Sequence, residues 1–351
     1  MKEFIAFDCH KRYTLVEQED VQTGKTRQFR VHHTPGAIRE CLRARQKGTA
    51  VAVEATGNWY WIVDEIEQAG LEPKLVHPRK AKLMMGMINK TDKLDVHGLN
   101  RLQRTGTLPT VWIPPRQLRD QREITRSRML ITAHRTRLKN RIQATLSKYG
   151  WPGTEASDPF GKKARAKLNQ AIKQLPPQTA HITDVLLDQM DFVQCQIEQM
   201  EGRLRQLVQD TPEMNLLRSL PGIGWILSAV IGLEIGSIRR FASAERYASY
   251  CGTTPRVHAS GDKIRYGRFR PDVNRYLRWA YIEAAHSVAL HKETHPSRHV
   301  SRLYERIRNR KGHPKAIGAV ARHLAEATYH VLTRAEPYRD PVLKKGQSRE
   351  V

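Results

Sequence analysis

AVAVE, residues Ala50–Glu54, is a continuous run of apolar side chains that ends in an acid. Such a run indicates a strand buried on both faces of a sheet. Three further strand-like segments precede it, at residues 3–8, 13–17 and 26–31. Helical segments are predicted from Thr34-Pro35 to about Gln46 and over residues 58–69, with a fifth strand at Leu75-Val76. This order predicts a mixed α/β sheet with helices packed on it.

Four acidic residues are candidate ligands for a metal ion. Asp8 and Glu54 end two predicted strands, where open α/β sheets place their sites. Further along, Asn89-Lys90-Thr91-Asp92-Lys93-Leu94-Asp95 puts two acids three residues apart, on one face of a helix. Four carboxylates suit Mg²⁺, with Mn²⁺ as a substitute. Each acid also has an ordinary alternative role: a turn-forming Asp, a helix-capping Glu, or a charged helix start.

The charge balance points to a polyanionic partner. Lys and Arg outnumber Asp and Glu by 60 to 35, a formal net charge of +25 that is spread along the chain. An anionic membrane would also attract this charge, but the sequence has no run of eighteen apolar residues and no basic amphipathic anchor, so nucleic acid is favoured. With no signal peptide at its start and no CxxC pair among four cysteines, the chain is expected in a reducing cytoplasm, without a disulfide framework or structural zinc.

Three regions are candidate nucleic-acid contacts or assembly elements. Residues 116–148 are predicted to be helical and basic, with Arg135, Arg137 and Lys139 as phosphate contacts, and residues 298–322 are similarly basic. The turn at Gly222 and Gly224 is either a phosphate-binding hairpin of backbone N–H groups or an ordinary tight turn between buried helices. Apolar residues from Leu186 to Leu207 recur at heptad spacing, which predicts a coiled coil or a long helix pair used in assembly.

The motifs resemble those of the DEDD transposases of the insertion sequence 110 (IS110) family. The resemblance rests on Phe7-Asp8, Val53-Glu54-Ala55-Thr56-Gly57, the Asp92/Asp95 string, Leu220 to Gly224, and the stretch from Tyr250 to Gly261. It implies a RuvC-like (ribonuclease-H-like) N-terminal domain with Asp8, Glu54, Asp92 and Asp95 as its acids. It also implies that Ser260 is a nucleophile, although a Ser-Gly among cations is by itself usually a turn. Arg256, Lys263 and Arg265 would neutralise the phosphate under attack.

The predicted fold class is an α/β RuvC-like N-terminal domain, followed by a helical coiled-coil segment and a mostly α-helical C-terminal transposase domain. The predicted boundaries are 1–112 for the DEDD domain, with closing helices extending to about 150, and 113–212 for the basic and coiled-coil region. The serine-bearing domain is predicted at 213–335 and a polar tail at 336–351. His258 is expected to point away from Ser260, so activation of the serine is assigned to the metal site.

The predicted function is that of a transposase or site-specific recombinase, cutting and exchanging strands through a phosphoserine intermediate. The resemblance implies a bridge RNA from the same element that pairs with donor and target DNA, and a composite site across the protomers of a homo-oligomer (dimer or tetramer). No membrane is involved, and the protein is expected in the cytoplasm with the nucleoid. One alternative is a Holliday-junction-type hydrolytic endonuclease that uses the four acids alone. The other is a nucleic-acid-binding protein without catalysis.

Overall fold

The computed structural model describes residues 3–86, 91–156, 158–208, 211–261 and 263–341. Asn89 and Lys90 of the Asp92/Asp95 motif, and residues 342–351 of the predicted tail, lie outside these ranges. The chain divides into two compact units, Met1–Pro114 and Pro115–Val351. Within the described residues, no helix combines the length and apolar character needed to cross a membrane.

A five-stranded mixed sheet forms the centre of the first unit. Its strands are β1 (Glu3–Cys9), β2 (Tyr13–Asp20), β3 (Thr26–His32), β4 (Ala50–Glu54) and β5 (Glu72–Val76). The order is β3-β2-β1-β4-β5, with β1 to β3 an antiparallel meander and β1, β4 and β5 parallel. The predicted mixed α/β fold is confirmed. It is consistent with the RuvC-like domain implied by the resemblance.

Apolar side chains cover both faces of this sheet, as the AVAVE run predicts. The helices are α1 (Ala37–Leu42), α2 (Trp59–Gln68), α3 (Pro78–Met85) and α4 (Asp92–Arg104). Val51 and Val53 of β4 pack on one face in the cluster that holds α1 and α2 residues. Ala52 between them belongs to the opposite cluster, with Val96 and Leu99 of α4. Successive side chains of a strand point to opposite faces of the sheet, and this decides which helices each residue of β4 packs against.

Two helices differ from the prediction. The helix expected from Thr34 to Gln46 spans only Ala37–Leu42, because Gly36 at its start adopts a left-handed conformation (φ 76°) and Thr34 does not cap it. The short helix α3 was not predicted. It begins after His77, whose ring nitrogen accepts from the Lys80 backbone, with a proline in its first turn, a position that proline favours.

Helix α4 is held on the sheet by buried polar contacts. Glu17 on β2 is fully buried and accepts hydrogen bonds from His97 and Asn100, each at 3.1 Å. Arg104 pairs with buried Glu19 at 2.6 Å. Thr91 caps the start of the helix by accepting from the Leu94 backbone at 3.2 Å. These contacts fix both the position and the first residue of α4, and hence the placement of Asp92.

The second unit is helical except for one hairpin. Its helices are α5 (Arg116–Lys148), α6 (Arg165–Lys173), α7 (Pro177–Leu207), α8 (Pro212–Arg218), α9 (Trp225–Ile235), α10 (Ala244–Tyr250), α11 (Arg275–Leu290), α12 (His299–Lys311) and α13 (His313–Arg334), with a 3₁₀ turn at Ile238–Arg240. The hairpin consists of β6 (Pro255–Ser260) and β7 (Lys263–Phe269). A mixed sheet followed by helices is the predicted order.

The heptad segment is part of the long helix α7. Met190, Val193 and Ile197 are buried in a cluster with Leu138 and Ile142 of α5, so the seam packs against helices of the same chain. Of the two alternatives left open by the spacing, this arrangement is a long helix pair. Contact between protomers through this seam stays a prediction.

Candidate functional site

Two of the predicted acids sit side by side at one edge of the sheet. Asp8 is the penultimate residue of β1 and Glu54 is the last residue of β4. The two strands are parallel neighbours in a register that pairs Phe7 with Val53, one residue before each acid. Asp92 and Asp95 lie on a helix, as predicted, and the structure places them in the first turn of α4, where the helix dipole favours carboxylates.

The residues that converge most closely are Asp8, Asp92 and an unpredicted histidine. One ligand atom each from Asp8, His10 and Asp92 lies within 4.8 Å of the other two. His10 Nε2 is 3.2 Å from Asp8 Oδ2 and 3.3 Å from Asp92 Oδ2. In the described part of the chain, Glu54 and Asp95 do not join this close group. The available signal was the spacing Asp8-Cys9-His10, because residues two apart on an extended chain point to the same side.

Burial disfavours the charged form of the Asp8 carboxyl group. Asp8 is only 6% exposed, and this burial raises the pKa of its carboxyl group. His10 lowers that pKa, and the negative charges of Asp92 and Asp95 raise it further. A poorly solvated carboxylate beside two others is stabilised by a cation. Oxygen ligands from carboxylates are those that Mg²⁺ and Mn²⁺ accept, so the residues present fit a divalent ion.

The Glu-Ala-Thr-Gly string holds the turn that carries His10. Thr56 Oγ1 donates to Asn58 Oδ1 at 2.7 Å, which orients the amide of Asn58. Asn58 Nδ2 then donates to the carbonyl oxygen of His10 at 2.9 Å. The segment after β4 therefore positions the segment after β1. The contact links two segments that lie 48 residues apart in the sequence.

Ser260 lies in the second unit, at the tip of the β6–β7 hairpin. It is the last residue of β6, pairs with Lys263 across the hairpin, and is exposed. His258 pairs with Arg265 in the same register. The expectation that His258 points away from Ser260 is wrong, because residues two apart on a strand share a face. Asp262, at the turn, lies outside the described residues.

The predicted phosphate contacts on α5 have different environments. Arg135 donates to Gln194 of α7, and Lys139 pairs with Asp158 at 3.1 Å while lying over the ring of Phe160. Arg137 is exposed. Closer to the start of α5, Arg122 and Arg126 turn inward to Glu234 of α9. Several cations of this helix therefore form contacts within the protein.

The two candidate glycines also differ. Gly222 has φ 78°, and a Cβ there would collide with the carbonyl oxygen of Ala284 on α11, so close helix packing already requires glycine. Gly224 precedes α9 and has open space where a Cβ would stand. Phosphate binding by either residue stays a prediction.

Two family models match the chain. One is the DEDD transposase model of the IS110 type, described as "Transposase", which matches residues 5–150. The other is described as "Transposase IS116/IS110/IS902 family" and matches residues 214–300. The first span contains all four acids and the second contains Ser260.

Known transposases are similar over most of the chain. A protein of Pseudomonas aeruginosa described as "Probable family 20 transposase" is 24% identical over 246 residues, covering 68% of this chain and 70% of the relative. The transposase for insertion sequence element IS1111A of Coxiella burnetii is 23% identical over 299 residues, covering 84% of this chain and 81% of the relative. The transposase for element IS1328 of Yersinia enterocolitica is 24% identical over 218 residues, covering 61% and 63%.

Proposed function

Because the chain belongs to the IS110 family of transposases, we propose that it cuts and rejoins DNA strands at the ends of an insertion sequence, with a divalent metal ion held at the sheet edge and Ser260 as nucleophile. The observation that carries this proposal is the convergence of Asp8 and Asp92 from a strand end and a helix start. Neither residue needs this arrangement for folding alone, because a buried carboxylate next to a second one costs stability.

Asp8 and Asp92 are the proposed first ligands, with Glu54 and Asp95 completing the acidic set. Mg²⁺, or Mn²⁺ in its place, would polarise the scissile phosphate and stabilise the charge that develops on it. The protein's own contribution is to fix the ligands. Glu17 and Glu19 anchor α4, Thr91 caps it, and Asn58 ties the turn after β1 to the segment after β4.

Ser260 would then attack phosphorus. A bond forms between its Oγ and the phosphorus atom, the serine proton leaves to a base, and one ester bond to deoxyribose breaks as the released sugar hydroxyl gains a proton. Lys263 and Arg265, opposite Ser260 and His258 in the hairpin register, support the phosphate charge. The phosphoserine bond conserves the energy of the strand for rejoining, and attack by a hydroxyl of another strand reverses the step.

The partners follow from the family membership. We propose donor and target DNA as substrates and a bridge RNA of the same element as guide, since pairing between nucleic acids would supply sequence reading without base-reading side chains. The net charge of +25 supports binding of such polyanions. A dimer or tetramer would join an acidic site and a serine from different protomers, with residues 1–112, 113–212 and 213–335 as functional divisions.

A hydrolytic endonuclease acting like a Holliday-junction resolvase is the second candidate. The exposed position of Ser260 supports the serine mechanism over it, because a DNA phosphate can reach the hydroxyl and the cations Lys263 and Arg265 of the same hairpin together. A binding protein without catalysis gives no account of the buried Asp8 carboxylate beside Asp92.

The deciding experiment traps the covalent intermediate. Full-length protein is incubated with Mg²⁺, labelled duplex spanning an element end, and RNA transcribed from the non-coding DNA beside the reading frame, then denatured. Wild type should give a denaturant-resistant adduct mapped to Ser260, and Ser260→Ala and Asp92→Asn should give none. Ser237→Ala, which removes another exposed serine of the second unit, is the control and should form the adduct.

The outcomes separate the candidates. An adduct at another residue, or normal recombination by Ser260→Ala, would overturn the serine mechanism and leave the hydrolytic enzyme. Normal cleavage by Asp92→Asn in Mg²⁺ would overturn the acidic site. Asp92→Asn should retain nucleic-acid affinity, which distinguishes loss of chemistry from loss of binding.

A further inference from the structure

His10 occupies the space between two acids of the candidate metal site. Its Nε2 atom approaches Asp8 Oδ2 and Asp92 Oδ2 at 3.2 and 3.3 Å. The atom is buried, yet neither approach has the geometry of a hydrogen bond, so it has no hydrogen-bond partner among the described residues. A buried polar nitrogen without a partner is costly and calls for an explanation.

The protein holds this imidazole in place from several directions. The His10 backbone N–H donates to the carbonyl of Tyr13 at 2.9 Å, and its carbonyl accepts from Asn58 Nδ2 at 2.9 Å. The Tyr13 ring lies 4.6 Å from the His10 ring, centroid to centroid. Both backbone groups and one ring face are therefore engaged, and Nε2 is directed at the carboxylates. Such support around a ligand is what metal sites need to fix a ring's orientation.

We propose that His10 is itself a ligand of the divalent ion, bound through Nε2 beside Asp8 and Asp92. This inference rests on the proposed metal-dependent function and adds a nitrogen to a site so far assigned carboxylate oxygens only. The simpler alternative is an ion pair, in which a protonated imidazole donates to a carboxylate. At 3.2 and 3.3 Å an ion pair would hold the imidazole by charge but leave Nε2 without a well-directed hydrogen bond, whereas a metal ion would occupy its lone pair.

A nitrogen ligand has a chemical consequence for metal choice. Imidazole is a good ligand for transition metals, whereas Mg²⁺ prefers oxygen and keeps its waters. The site should therefore bind Mn²⁺ more tightly than Mg²⁺, and His10 should account for much of the difference. Losing even an outer partner of a metal ligand costs about 10- to 100-fold in metal affinity, so removing His10 should weaken Mn²⁺ binding at least about tenfold. Mg²⁺ binding should change much less.

The test uses Mn²⁺ as a spectroscopic probe, without DNA. Full-length wild-type protein is loaded with one equivalent of Mn²⁺, and electron spin echo modulation is recorded for coupling to nitrogen-14 of a bound imidazole. The wild type should show this coupling, and His10→Gln should lose it while still binding Mn²⁺ more weakly. His32→Gln, which removes a nearby exposed histidine, should retain the coupling.

Each result has a distinct meaning. Bound Mn²⁺ without nitrogen coupling in the wild type would overturn ligation by His10 and leave the carboxylate site intact. Coupling that persists in His10→Gln would assign the nitrogen to another histidine and also overturn the inference. Failure of the wild type to bind Mn²⁺, judged by an unchanged aqueous Mn²⁺ signal, would overturn this inference and the proposed metal site together. A wild-type spectrum without nitrogen coupling overturns ligation whether or not a variant folds, and a coupling that is present is assigned to His10 by comparison with His10→Gln and His32→Gln.

Discussion

Tyr13 donates its hydroxyl hydrogen to Oδ2 of Asp92 over 3.0 Å. The bond joins the first residue of β2 to the first residue of α4. The same bond raises the pKa of Tyr13, so the phenol stays a donor at neutral pH. The guanidinium of Arg30 lies 4.7 Å from the centre of the Tyr13 ring. Tyr13 is therefore a positioning residue, which sets the direction of the Asp92 carboxylate.

Tyr13→Phe keeps the ring and removes only this hydrogen bond. A net hydrogen bond contributes about 1 kcal/mol, which corresponds to a factor of about five in rate if the bond is needed in the transition state. Single-turnover DNA cleavage at saturating Mg²⁺ should slow by about that factor, with DNA affinity unchanged. Tyr149→Phe, whose hydroxyl meets Thr179 on the surface of the second unit, is the control. Equal rates for Tyr13→Phe and wild type would remove this role.

A second prediction concerns stability within the second unit. Glu234 is fully buried on α9 and accepts from Arg126 Nε at 2.7 Å and Asn274 Nδ2 at 2.8 Å, with Arg122 Nε 3.7 Å away. Glu234→Gln removes the buried negative charge that faces both arginines. The free energy of unfolding should fall by about 3 kcal/mol.

Urea denaturation followed by circular dichroism measures this change. Glu201→Gln is a matched control, because Glu201 also pairs with an arginine of α5, Arg128, but is more exposed. It should lower the free energy of unfolding by less than about 1 kcal/mol. A similar loss in both variants would mean that burial of Glu234 does not decide its contribution.

Local patterns predicted the parts of the fold that local forces determine. The AVAVE run identified β4 at its observed bounds, and the segment with Asp92 and Asp95 three residues apart is helical as predicted. Such signals depend on the period of a strand or helix and on capping, which neighbouring residues fix. The convergence of Asp8 with Asp92 could be anticipated only because both lie at element ends.

Contacts between residues that are far apart in the sequence could not be predicted from local patterns. The contact of Arg122 and Arg126 with Glu234 joins residues more than a hundred positions apart, and no pattern in α5 separates inward from outward arginines. His10 was missed because its importance comes from Asp92, which reaches it through the docking of α4. Gly222 was considered for phosphate binding, whereas its packing against Ala284 depends on a helix far along the chain.

A third prediction follows from the exposed cations of α12. Arg302, Arg306 and Arg310 are exposed and four residues apart, so they lie on one face of that helix. If this face lies on a phosphate backbone, changing all three to Ala should reduce the slope of log affinity against log salt by about 2 to 3. Binding should weaken alike for unrelated DNA sequences, because phosphate contacts carry no base information.

The comparison needs a variant with the same loss of charge. Changing Lys162, Lys163 and Lys167 to Ala removes three exposed cations from another part of the second unit. An unchanged slope for the α12 variant, or an equal change in this control, would remove α12 from the interface. On α5, Arg137 and Arg141 are both exposed and suit the same test, whereas Arg135 and Lys139 have internal partners.

The last prediction concerns acid sensitivity of the second unit through His323. This side chain of α13 lies 4.8 Å from the His299 ring, and its Nε2 is 3.2 Å from the Tyr338 hydroxyl. The pKa of His323 is lowered to about 4, chiefly because burial disfavours the charged imidazole; the neighbouring His299 also lowers it, and Asp340 acts in the opposite direction. Since the unfolded chain binds a proton near the ordinary value of 6.5, acid favours unfolding.

The contribution of His323 is therefore fully present above pH 6.5 and is lost as the pH falls toward about 4, by as much as about 3 kcal/mol. His323→Gln should flatten the decline of unfolding free energy across this window, and His330→Gln, an exposed histidine of the same helix, should not. Urea denaturation at several pH values between 7 and 4 measures the three curves. If His323→Gln and wild type lose stability in parallel, protonation of another group causes the decline, and His323 does not contribute to it.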